Sequence, residues 1–137
     1  MPLLRRPLHG LHAALLAGTV PLFLGVLLSD IAYTSTWEIQ WKNFSSWLLV
    51  GALIFGACAL VWAIVDAWRY RRQPWPHFLY VIALLVMWVL GFINALLHSA
   101  DAAASMSAAL VLSWIIAALA IAATWLGFGS RRREVVP

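Results

Sequence analysis

VWAIVDAWRYRRQPWPHFLY, residues 61–80, ends one long apolar run and begins another across a turn that holds Arg69, Arg71, Arg72, Pro74 and Pro76. The prolines break one helix and restart the next near His77, because proline is tolerated only in the first turn of a helix. A turn this short joins adjacent antiparallel helices. Its arginines mark the side on which a bacterial-type membrane retains cationic loops. Outward from this turn, Arg5 and Arg6 precede the first apolar run, and Arg131, Arg132 and Arg133 follow the last. Only Lys42 among the basic residues stands apart from these three groups. Cationic groups at alternate gaps predict four spans in an inner membrane, with the N- and C-termini both cytoplasmic.

Composition agrees. The chain has 137 residues, 64% hydrophobic and 10% charged, which lies outside the range of soluble domains. It reads as one all-α domain over residues 1–137, an integral membrane up-down-up-down four-helix bundle. Spans of roughly 20 residues each are expected at about 11–33, 46–68, 77–97 and 106–128, leaving short loops and no room for a soluble domain. The net charge of +4 does not point to nucleic acid, since the arginines flank apolar runs and face anionic headgroups. Arg5-Arg6 before an apolar run resembles a secretion signal, but the run from Leu11 continues through Ser29-Asp30-Ile31-Ala32 without a small-x-small cleavage site. A retained span is expected. Cys58, the one cysteine, falls inside the second run and reads as a small buried packing residue.

Within the first span Pro21 removes a backbone hydrogen bond and should bend the helix, with Gly18 and Gly25 beside it to admit a neighbour. Thr34 to Phe44 reads as an outer loop holding a short interfacial helix, with Trp37 and Trp41 one turn apart and Glu38 placed to pair with Lys42. With Trp47 these tryptophans form an outer aromatic belt. Small residues recur at helical spacing in Ala52/Gly56, Ala59/Ala63/Ala67, Gly91/Ala95 and Ala109/Ser113/Ala117. Such faces pack helices together, within the chain or between copies in a homo-oligomer.

Ionisable groups in or beside the spans are the candidates for chemistry. The expected topology puts His9, His12, Asp66 and His77 in the inner layer and Asp30, Asn94, His98 and Asp101 in the outer one. No charge is expected at the midplane, which disfavours a proton-coupled pump or exporter, because those place an acidic group deep in a span. His12 and Asp30 are about five turns apart and share a helix face with Thr19, so this stripe should face the bundle interior.

The inner group admits three readings. It is a structural set of hydrogen-bonded imidazoles and one carboxylate. Alternatively His12 and His77, on different spans at one depth, are axial ligands of a b-type haem, with Asp66 accepting from a ligand's far ring nitrogen and quinone as electron partner. In the third reading His9, His12, Asp66 and His77 hold a divalent metal such as zinc, copper or nickel. In the outer group His98 is a cap or a hydrogen-bond partner of Asp30 or Asp101, or it holds a quinone headgroup together with Asn94 or Trp88. There is no His-Glu-x-x-His, Gly-x-Ser-x-Gly or glycine-rich phosphate loop. The leading reading is a non-enzymatic membrane subunit or scaffold for a partner membrane or periplasmic protein, the alternatives being the haem carrier and the metal-binding protein.

The His-x-x-His of His9 and His12 after basic residues, the proline-interrupted first span ending in Asp30, the Gly56-containing second span ending in Asp66 and the His77 that opens the third span form one pattern. It resembles a domain-of-unknown-function family of small bacterial inner-membrane proteins, over nearly the whole chain. That family often has proline after the first histidine, where this chain has Gly10. The resemblance implies a four-helix membrane domain and directs attention to His12, Asp66 and His77, and it carries no activity.

Overall fold

A computed structural model describes residues 9–69, 75–100 and 102–129, so the arginine groups at 5–6, 71–72 and 131–133, Pro74 and Asp101 lie outside the described residues. Helix α1 spans Gly10–Thr36, α2 Ile39–Arg69, α3 Trp75–Ser99 and α4 Ala102–Gly129. Apolar runs of this length become helices because lipid offers backbone groups no partner, and a helix satisfies them internally. All four are long and apolar enough to cross a membrane. At about 1.5 Å per residue even the shortest exceeds the roughly 30 Å hydrocarbon layer, so each continues past its apolar run.

Each helix packs on its neighbours in the chain, and α1 closes the ring against α4, leaving α1 and α3 on one diagonal and α2 and α4 on the other. This is an all-α, up-down-up-down four-helix membrane bundle. Lipid gives no hydrophobic drive for helices to associate, so close van der Waals contact must hold them. The interior accordingly sets Leu16, Phe23, Leu84, Met87 and Ile116 against alanines at 52, 59, 63, 120 and 123. At Gly18 a Cβ would stand 2.6 Å from the Phe55 ring, and at Gly25 2.9 Å from Leu48, so both glycines admit α2 closely. Pro21 lies inside α1 on an exposed face, and the helix continues through it. The small residues Ala52, Gly56, Ala59, Ala63, Gly91, Ala109, Ser113 and Ala117 are buried within the one chain.

Outward faces carry side chains such as Leu28, Val61, Ile82 and Val111, as contact with lipid tails requires. Trp37 and Trp47 are exposed at one end, and Trp68, Trp75 and Trp125 at the other, which makes two aromatic belts.

The structure corrects three expectations. The segment from Thr34 to Phe44 is not a loop with its own interfacial helix: α1 runs to Thr36, and α2 starts at Ile39. Trp37 adopts a left-handed conformation with φ 58°, and its N–H donates to the Tyr33 carbonyl at 2.7 Å. That cap reverses the chain within two residues and leaves Trp41 and Phe44 on α2 itself. Lys42, expected beside Glu38, donates from Nζ to the Ala100 carbonyl at 3.0 Å and ties α2 to the end of α3. Cys58 is exposed, not buried. The buried stripe of α2 passes through Ala52, Gly56, Ala59 and Ala63, and at about 100° per residue Cys58 falls off that line.

Candidate functional site

Asp30 is fully buried on α1, on the stripe that also buries His12, Leu16, Thr19 and Phe23. Thr19 and Ser29 return their hydroxyl protons to the Leu16 and Gly25 carbonyls of their own helix, so neither competes for the carboxylate. A lone carboxylate in this setting would be strongly unfavourable. Three donors from three other helices cover it. Ser45 Oγ of α2 donates to Oδ1 at 2.7 Å, His98 Nε2 of α3 meets the same oxygen at 2.8 Å, and Ser113 Oγ of α4 donates to Oδ2 at 2.5 Å.

A second tier orients the donors. His98 Nδ1 donates to the Asn94 carbonyl at 2.9 Å, and Asn94 Nδ2 donates to Ser113 Oγ at 2.8 Å. Since a carbonyl only accepts, His98 Nδ1 is the donor in that bond, and Nε2, which also lies 3.2 Å from Ser45 Oγ, is the nitrogen that faces the carboxylate. Asn94 Oδ1 is buried with no partner among the described residues. This layer thus joins all four helices through Asp30, Ser45, Asn94, His98 and Ser113.

The opposite end of the bundle holds the histidines. His9 caps α1, its Nδ1 accepting from the Leu11 N–H at 3.3 Å, and its ring lies 5.0 Å from that of Trp62 on α2. His12, three residues on and buried, meets the same tryptophan edge-on at 5.5 Å. Its Nε2 shares a 2.7 Å hydrogen bond with the Tyr80 hydroxyl of α3. His77, also buried, sets its ring 6.0 Å from that of Tyr80. Tyr80 therefore packs against both His12 and His77, and Trp62 against both His9 and His12. Asp66 is half-buried one turn beyond Trp62 on α2. Among the described residues no three His, Cys, Asp or Glu side chains are grouped so as to hold a metal ion.

His9, His12 and His77 thus converge at one end, and Asp30, Asn94 and His98 at the other. Of the two residues considered beside His98, Asn94 Nδ2 donates to Ser113 Oγ, and Trp88 Nε1 donates to the Leu53 carbonyl at 3.1 Å. Sequence reasoning missed Ser45, Tyr80 and Trp62 as members of these layers and took Ser113 only as a small packing residue. A usable signal existed for Tyr80, which follows His77 by one turn on the same face, and for Ser113, on the small-residue stripe of α4.

No curated protein and no solved structure matches the chain. A family model described as a predicted membrane protein, DUF2231, matches residues 8–134, which takes in all four helices and both polar layers. The chain belongs to that family.

Proposed function

We propose that the protein is a non-enzymatic membrane subunit, a stiff four-helix platform in an inner membrane that holds a partner membrane or periplasmic protein. The observation that carries this reading is the five-residue layer around Asp30, in which polar side chains from every helix bond to one another. Such a network gives the bundle one register and one arrangement of its outward faces, as a platform needs. In-cell photo-crosslinking tests it, with the probe placed in turn at lipid-facing Val61, Ile82 and Val111. One face should yield a discrete adduct with another protein. Lipid adducts alone at all three faces would count against the platform.

A second reading rests on a separate observation. His12 and His77 come from the diagonal helices α1 and α3, both are buried, and both pack against the Tyr80 ring at one end of the bundle. Two imidazoles facing across a bundle interior are a ligand set suited to b-type haem, which would make the protein a one-electron carrier with quinone as its partner. Tyr80 would then have to release His12 Nε2. Oxidised and dithionite-reduced optical spectra of detergent-purified protein, expressed with added haem, decide it. A split α/β band on reduction that disappears in His12→Ala supports the carrier, and a featureless spectrum ends it.

A further inference from the structure

His98, a buried member of the Asp30 layer, also lines a cavity. Its ring forms part of the wall of a half-open cavity of about 230 Å³ between α2 and α3, together with Ser46, Leu49, Val50, Ala95 and Ser99. The cavity lies one turn from the end of α3, and the exposed Trp47 next to Ser46 marks the interfacial depth. A ligand there would be an amphiphile, with a small head in the cavity and a tail in lipid.

The hydrogen-bond inventory defines that head. Ser46 Oγ donates to the Lys42 carbonyl at 2.9 Å, and Ser99 Oγ donates to the Leu96 carbonyl at 2.7 Å. Both hydroxyls have thereby committed their protons and keep lone pairs for a ligand. The nitrogens of His98 are engaged by Asp30 and by the Asn94 carbonyl. The polar groups of the cavity wall are therefore acceptors, its remaining walls are Leu49, Val50 and Ala95, and a complementary head is flat, apolar on its faces and donating at its edge.

We propose that this α2–α3 cavity binds the dihydroxy aromatic head of a membrane quinol, in preference to the oxidised quinone, whose two carbonyls are acceptors only. Ser46 and Ser99 receive its hydroxyl protons, and the His98 ring, fixed by Asp30, forms the wall against which the head lies. The site is at the other end of the bundle from His12 and His77, and binding there requires no haem.

Anaerobic titration calorimetry of the detergent-solubilised protein with duroquinol and, separately, duroquinone tests the proposal. Saturable duroquinol binding about tenfold tighter than duroquinone is expected, the difference of two hydrogen bonds at the weak end of their net range. Ala95→Leu, which fills the cavity, should abolish binding at unchanged helical circular dichroism, and Ser46→Ala/Ser99→Ala should bring duroquinol down to the duroquinone value. Equal affinity for the two redox forms would overturn the proposal. So would wild-type binding by the double serine variant, or displacement of duroquinol by phosphatidylglycerol in about tenfold excess, which would make the cavity a lipid-headgroup site. A failed haem spectrum leaves this result untouched, so the two tests stand apart.

Discussion

Asp30 and His98, 68 residues apart in sequence, meet at 2.8 Å in the bundle interior. Asp30 is wholly buried and His98 nearly so, hence the loss of either takes from the other a partner that water does not replace. Breaking a buried pair from one side leaves an uncompensated group and costs about 3–5 kcal/mol, more than the pair itself contributes. Asp30→Asn and His98→Gln should each lower stability in detergent by about 3 kcal/mol, and a double-mutant cycle on guanidinium unfolding should return a coupling of about 2 kcal/mol. Additive effects would show that the two residues do not act as a unit.

Ser113 and Asn94 should differ in an informative way although they bond to each other. Removing the Ser113 hydroxyl strands both Asp30 Oδ2 and Asn94 Nδ2, so Ser113→Ala is expected to cost about 1–2 kcal/mol. Asn94→Ala loses one hydrogen bond but also deletes the unpartnered Oδ1, and its cost should stay below about 1 kcal/mol. Denaturation midpoints of the two variants, compared side by side, check the order.

Close approach at two glycines predicts unequal tolerance of a methyl group. A Cβ at Gly127 would lie 2.6 Å from Leu16 and 3.0 Å from Tyr80, both buried with no room to move, whereas the Cβ at Gly18 meets Phe55, which can swing toward lipid. Gly127→Ala should destabilise by about 1–3 kcal/mol through overpacking, and Gly18→Ala by less. Thermal unfolding of the two alanine variants is the measurement.

Tyr80 separates the readings of the histidine end. Tyr80→Phe keeps the ring and removes the hydroxyl bonded to His12 Nε2, at a cost of about 1 kcal/mol for the lost hydrogen bond. Under the haem reading that variant should bind at least as much haem as the parent, while His12→Ala binds none. Pyridine haemochrome assays of both preparations give the comparison.

Orientation is tested by fusing alkaline phosphatase, active only in the periplasm, after Pro137. The arginine groups predict a silent fusion, and the same reporter inserted at the Trp37–Glu38 turn should be active. The opposite pattern would invert the bundle.

Much of this molecule is legible in one dimension. Four apolar runs and the small-residue spacing specify four spanning helices and the faces they bury, because helix formation in lipid depends on local backbone satisfaction and packing faces follow a period of about 3.6 residues. The stripe from His12 through Thr19 to Asp30 was legible for the same reason, and α1 buries it. Helix ends were less so: hydropathy reports where apolar side chains stop, while α2 continues outward from Ser45 to Ile39 through polar interfacial turns.

Which polar residues meet was decided by the tertiary structure. A hydrogen bond requires approach within about 3 Å, and that distance depends on the relative rotation and height of different helices, which no residue spacing encodes. The sequence alone could thus put Asp30 and His98 at one depth, and His12 and His77 at another. Only the packed bundle turned Ser45 and Ser113 onto Asp30, brought Tyr80 against both His12 and His77, and placed His98 in the wall of a half-open cavity.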